Sequence, residues 1–158
     1  MDTPAPGGCP LPRRAGSAPL VSTTPPVEQI TQPVPVELQR SLCRRLAALP
    51  GVDIRPSYVC FPGSRAGHLA PTLAHGPVQA FLAGTEFAHL HPEYDGSLHL
   101  VLPPVLAEEV VAAGLGVPAE PRGSLLLYGP QDESQTETVW LLLQAAYRYA
   151  CTAPGPTA

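Results

Sequence analysis

Lysine is missing from this chain; all nine basic residues are arginines. Charge of either sign is scarce, 14% of the residues against about 25% in ordinary soluble proteins. With a net charge of −4 and arginines placed singly or in pairs, no basic stripe exists to neutralise phosphates, which argues against a nucleic-acid partner. No apolar run reaches the ~18 residues that a membrane span requires, so no membrane partner is expected. A basic segment followed by an apolar one is also lacking at the amino terminus, which leaves the cytoplasm as the expected compartment. The four cysteines, Cys9, Cys43, Cys60 and Cys151, show no CxxC spacing, which excludes a zinc ribbon or thioredoxin-like motif. Cys43 precedes two arginines that could lower its thiol pKa, yet a small buried hydrophobe is its simpler role. An all-arginine basic complement fits a bacterial gene of high GC content.

What is plentiful is unevenly spread. Of 22 prolines, nine fall in the first 35 residues. Residues 1–33 cannot bury enough apolar surface to offset the entropy of ordering, and we expect a flexible Pro-rich arm there. Residues 151–158 form a similar tail. Between them, residues 34–150 make up a single domain. Leu38, Leu42, Leu46 and Leu49 recur at helical spacing, with Arg40 and Arg44 opposite, up to the Pro50-Gly51 stop. Residues 52–63 suggest a strand broken by Pro56, better suited to an edge than to a sheet centre. Residues 62–77 are turn-rich, and residues 77–84 alternate enough for a further strand. A helix follows around Leu106, Val110 and Ala113, with Gly114 as its terminator. Residues 123–130 form a short apolar strand. A long last helix starts at an Asp132/Gln135 capping pair and buries Val139, Leu142, Leu143 and Ala146. Strands flanked by helices predict an α+β fold, an antiparallel-rich sheet with helices packed on one face.

The stretch "TEFAHLHPEYDGSLHL", Thr85 to Leu100, gathers three of the five histidines and reads as a β-hairpin around Asp95-Gly96. Strict alternation puts Phe87, His89 and His91 on one face and Glu86, Ala88 and Leu90 on the other. A loop of five residues, Pro92 to Gly96, pairs His91 with Ser97 and His89 with His99. One of three, Tyr94 to Gly96, pairs His91 with His99, and either puts all three imidazoles on one face. A two-residue turn sends His99 to the leucine face instead. The odd loop separates a leucine face for the helices from a polar face, and is favoured for that reason. Three uses of such a cluster stay open. One is a histidine group with no chemistry. Another is a Zn, Cu or Fe site on His89, His91 and His99, with Glu86 or Asp95 as a further ligand. The third is general acid–base work by imidazoles that titrate near neutrality. His68 and His75 are expected in solvent, and Trp140 in the core.

These residues resemble a known family. Ala88, His89, His91, Asp95, Ser97, Leu98, His99 and Leu100, with the later "LYGPQDE" from Leu127 to Glu133, are similar to the carboxy-terminal half of the fungal luciferases and of luciferase-like domain proteins. The resemblance covers about residues 84–150. It implies an enzyme, oxygenase-like, that oxidises an electron-rich hydroxy-pyrone, phenol or polyketide-type metabolite with O₂ and without an organic cofactor. It implies His89 and His99 as base and proton shuttle, His91 and Asp95 orienting them, and Ser97 steadying an anionic oxygen. Phe87, Tyr94 and Tyr128 are the candidate substrate contacts. The chain departs from the family pattern where fungal members carry Trp, His-Pro and a turn His, at Leu115, at Ala119 and Glu120, and at Tyr94. The scaffold is then shared while the substrate differs, with a role in specialised metabolism. A metal-dependent or cofactor-free lyase, hydrolase or cyclase, or a metabolite-binding domain, is the alternative.

Overall fold

Pro35 opens the first helix, α1 (Val36–Ala47), in the computed structural model, which describes residues 10–156; Cys9 lies outside them. Leu42 and Leu46 are fully buried, and Arg40 and Arg44 stay in solvent, as the leucine spacing requires. Gln39 is fully buried too. Its amide donates to the main-chain carbonyl of His91, which ties the helix to the hairpin.

Six strands follow, β1 (Val52–Arg55), β2 (Arg65–Leu69), β3 (Glu86–Leu90), β4 (Leu98–Val101), β5 (Gly116–Ala119) and β6 (Ser124–Leu127). They form one sheet in the order β1-β2-β3-β4-β6-β5, antiparallel at every pairing. Helix α2 (Pro104–Ala112) links β4 to β5, and α3 (Glu133–Cys151) closes the chain. This is the α+β class. Proline marks both edges: Pro56 follows β1 and Pro118 lies within β5, where a missing N–H does the least harm. At the start of α3 the Asp132 carboxylate accepts from the Gln135 N–H, and the Gln135 side chain accepts from the Gln131 N–H.

One sheet face is leucine. Ala88 and Leu90 of β3, Leu98 and Leu100 of β4, and Leu125 and Leu127 of β6 form the core with Leu42, Leu46, Leu142 and Leu143 from α1 and α3. The other face carries His89, His99, Ser124 and Leu126, and the segments around Pro26 and Val59 lie over it.

Three expectations change. Residues 77–84 hold a 3₁₀ turn, Val78–Ala80, and no strand; Val78 is 82% exposed, so the apolar alternation there served no sheet. The turn-rich residues 62–77 contain β2. Its Gly67 stands where a Cβ would lie 3.1 Å from the Phe87 ring, so the glycine is a packing requirement inside a strand. His68, expected in solvent, is 1% exposed on that strand, whereas His75 is exposed.

The arm expected over residues 1–33 makes specific contacts over its described part. The Arg14 N–H donates to the Ala113 carbonyl, and a short bridge joins Val21 to Gln29. Gln29 is buried; its main-chain N–H donates to Asp95 Oδ2 (2.9 Å) and its Oε1 accepts from the Gly129 N–H (3.0 Å). Directed polar contacts hold this segment, with Leu11 packed against the core and Pro19 buried. Among the described residues no helix is long and apolar enough to cross a membrane.

Candidate functional site

The hairpin adopts the five-residue loop. The His91 N–H donates to the Ser97 carbonyl (2.9 Å), and His89 stands directly opposite His99. All three imidazoles therefore share the face turned away from the helices. The His89 ring centroid lies 4.9 Å from that of His99 and 5.1 Å from that of His91. Gly96 closes the loop at φ +76°, and a Cβ there would come within 2.5 Å of Val34.

A β-bulge alters the rest of β3. Gly67 pairs with Ala88 but His68 pairs with Glu86, so Phe87 is an extra residue between them. The extra residue resets the alternation. Phe87 turns to the leucine face, fully buried, with its ring edge-on to Tyr147 at 5.9 Å. It is a core residue and not the substrate contact expected from alternation. Glu86, expected on the leucine face, joins the histidines instead. Its Oε1 bonds His89 Nδ1 (2.9 Å) and accepts from the Ser57 hydroxyl (2.6 Å), while Oε2 accepts from the Tyr58 N–H (2.9 Å). Burial alone would raise the Glu86 pKa, but these bonds bring it below its usual value.

Each imidazole has its own partners. His91 Nδ1 lies 2.8 Å from Ser97 Oγ and 3.2 Å from Asp95 Oδ2. Ser97 donates its own proton to Asp95 Oδ1, so it can only accept from His91. Burial pulls the His91 pKa down, yet Asp95 and Cys60 together raise it to about 9. Against its own burial, Asp95 is held below its usual value by His91 and Ser97. His99 Nε2 lies 2.8 Å from Ser124 Oγ, whose proton goes to the Pro121 carbonyl. The proton of His99 therefore sits on Nε2. No carboxylate backs this ring, and burial with the charges of His89 and His91 pushes its pKa down to about 3.

The residue that sequence reasoning missed is Cys60. It arrives on the segment that leaves β1 at Pro56 and crosses the polar face. One ligand atom each from Cys60, His89 and His91 lie within 4.8 Å of one another. Among the described residues this is the group whose ligand atoms come together; of the expected metal set it contains His89 and His91. His99 is not in it; its Nε2 is turned to Ser124. Burial would raise the Cys60 thiol, but His89, His91 and Ser64 bring it down to about 5. No spacing motif links Cys60 to the hairpin.

Beside the cluster lies a cavity of about 400 Å³, walled by Pro25, Pro26, Val59, His91, His99 and Glu120 among others. Tyr94 is outside it, 63% exposed, with its hydroxyl bonded to Glu28. Tyr128 is also elsewhere, buried beneath the Arg14 guanidinium (5.3 Å) in a separate depression with Asp132. The loop tip carries Tyr94 outward, and Tyr128 lies past the end of β6.

Residues 84–146 match the family model described as "Luciferase domain". This segment is similar to the luciferase domain. The chain is similar to a luciferase of Armillaria ostoyae, 33% identical over 81 residues, which covers 46% of this chain and 30% of that protein. Luciferases of Armillaria gallica and Neonothopanus nambi are each 32% identical over 78 residues, 44% of this chain and 29% of theirs. The matched part thus spans less than a third of the length of these relatives. No solved structure matches the chain. The matched segment includes β3, β4, α2, β5 and β6, and with them His89, His91, Asp95, Ser97 and His99. Cys60, Ser57 and Gln29 come from outside it.

Proposed function

We propose that the chain is a luciferase-type enzyme that uses O₂ to oxidise a small electron-rich hydroxylated ring, of the hydroxy-pyrone, phenol or polyketide class, in the cavity beside the histidines. One observation carries this reading: the luciferase-domain match falls on the hairpin whose imidazoles converge next to a cavity of substrate size. The Cys60 thiolate and the Nε2 of His89 supply the basic atoms that take the hydroxyl proton. The enolate left behind adds to O₂, and the new peroxide oxygen is neutralised by a proton from the His91 imidazolium. His99, the expected shuttle, is held neutral and is a poor base near neutral pH; it serves as a fixed wall of the cavity. Ala119 and Glu120, two departures from the fungal pattern, lie in that wall, which supports a substrate different from the fungal one.

An oxygen electrode with a panel of hydroxy-pyrones and phenols tests the proposal. Uptake should match substrate consumed and fall at least about 100-fold in His91→Gln. Turnover without O₂ uptake would instead favour a lyase, hydrolase or cyclase, and unaltered uptake in the variant would remove the site from the reaction.

A further inference from the structure

We infer that Cys60, His89 and His91 form a three-ligand site for a late divalent transition ion, zinc, cobalt or iron(II), beside the cavity. The donor set comes first. Thiolate and imidazole suit these ions and do not suit magnesium or calcium. Three protein ligands with a further position for water or substrate is the arrangement of reactive rather than structural zinc sites. Ligands of one tetrahedral ion stand roughly 3.4–3.6 Å apart, given bonds of about 2.0–2.3 Å. The three atoms here lie within 4.8 Å of one another, so small side-chain rotations close the gap.

The shell behind the ligands points the same way. Nδ1 of His89 is held by Glu86 and Nδ1 of His91 by Asp95, at 2.9 and 3.2 Å. Each imidazole is thereby left with Nε2 as its ligating nitrogen, backed by a carboxylate that orients the ring and strengthens it as a donor. His89 supplies the independent sign. It is fully buried, and its Nε2 has no hydrogen-bond partner. Buried polar atoms are rarely left so. A metal ion on that lone pair completes the bond that protein atoms do not make. His91 and Val59, the neighbour of Cys60, wall the cavity, which brings a ligand there close to the ion. With the ion bound, Cys60, His89 and His91 are ligands and its charge would acidify a substrate hydroxyl; the proton transfers given to them above describe the metal-free protein. The site stands on its own geometry and does not depend on the oxidation reading.

Protein purified without a histidine tag, stripped of metal and titrated with Co²⁺, Zn²⁺ and Mg²⁺, provides the test. Cobalt should bind one per chain and give a thiolate-to-metal charge-transfer band in the near ultraviolet, with no response to Mg²⁺. Cys60→Ser should abolish the band, His89→Gln should weaken cobalt binding about 100-fold, and Glu86→Gln about tenfold. Cys43→Ser and His99→Gln should leave it unchanged. Should His89→Gln misfold, the Zn²⁺-dependent rise in melting temperature, present in wild type and lost in Cys60→Ser, decides instead. Folded protein that binds no cobalt, a band that survives Cys60→Ser, or one that needs His99 would overturn the site. Oxygen uptake by metal-free protein would remove the ion from the reaction and leave the oxidation reading standing, so the two fail separately.

Discussion

At Cys60 the thiol meets two imidazoles and the Ser64 hydroxyl, and their pull outweighs the burial that alone would raise its pKa. His91 is the mirror case, raised to about 9 by Asp95 and Cys60 against its own burial. His99 lacks such a carboxylate and loses, falling to about 3. In metal-free protein a Cys60 thiolate therefore exists above about pH 5 and a His91 imidazolium below about pH 9, which gives an ion pair between those limits. The alkylation rate of Cys60 by iodoacetamide, followed by peptide mass spectrometry, should rise through about pH 5 and then level off. His91→Gln removes the cation, so the inflection moves up toward that of an ordinary thiol. At pH 6.5 the variant should react about tenfold more slowly or worse. A wild-type rate still climbing at pH 9 would mean that the pair does not form. The His-x-His and Leu-His-Leu alternation along one hairpin made the histidines legible in the sequence. Cys60 was not, because a cysteine brought in from another segment leaves no local pattern.

Within the elements, leucine spacing and turn chemistry located α1, the hairpin, α2, β6 and α3, since each is a regular repeat against one core. The unit that escaped is the bulge. Strict alternation has no place for an inserted residue, and one insertion at Phe87 exchanged the roles of two side chains. Glu86 gained the polar face and Phe87 the core. β2 and β5 escaped for related reasons: Gly67 and Pro118 interrupt the apolar signal where packing or an edge position requires them. The bulge makes separable predictions for its two residues. Phe87→Ala empties a fully enclosed ring site and should cost about 3–5 kcal/mol in urea unfolding, while the Cys60 alkylation profile keeps its inflection. A loss below about 1 kcal/mol would place the ring outside the core.

Across the whole molecule, the polar sheet face is covered by chain rather than by helices. The amino-terminal segment spans it, with Pro25 and Pro26 in the cavity wall and Gln29 joining the hairpin loop at Asp95 to the start of the α3 approach at Gly129. Gln131 extends the same link by donating to the carbonyl of Gln32. Proline and polar composition hid this docking, because the segment is fixed by a few directed hydrogen bonds and not by an apolar stripe. Two variants weigh the link. Gln29→Ala leaves the buried Gly129 N–H without an acceptor and should destabilise by about 1–3 kcal/mol. Removal of residues 1–33 also takes the main-chain donor from Asp95 and uncovers the cavity, so it should cost more than Gln29→Ala with the circular dichroism of the domain retained. That second loss reaches the site: Asp95 stays ionised, and uncovering the cavity relieves the burial that opposes the His91 imidazolium. Truncated protein should therefore show the upper limb of the Cys60–His91 ion pair moved up from about pH 9. A truncated chain as stable as the full one, with that limb unmoved, would mean that the segment does not rest on the sheet in solution.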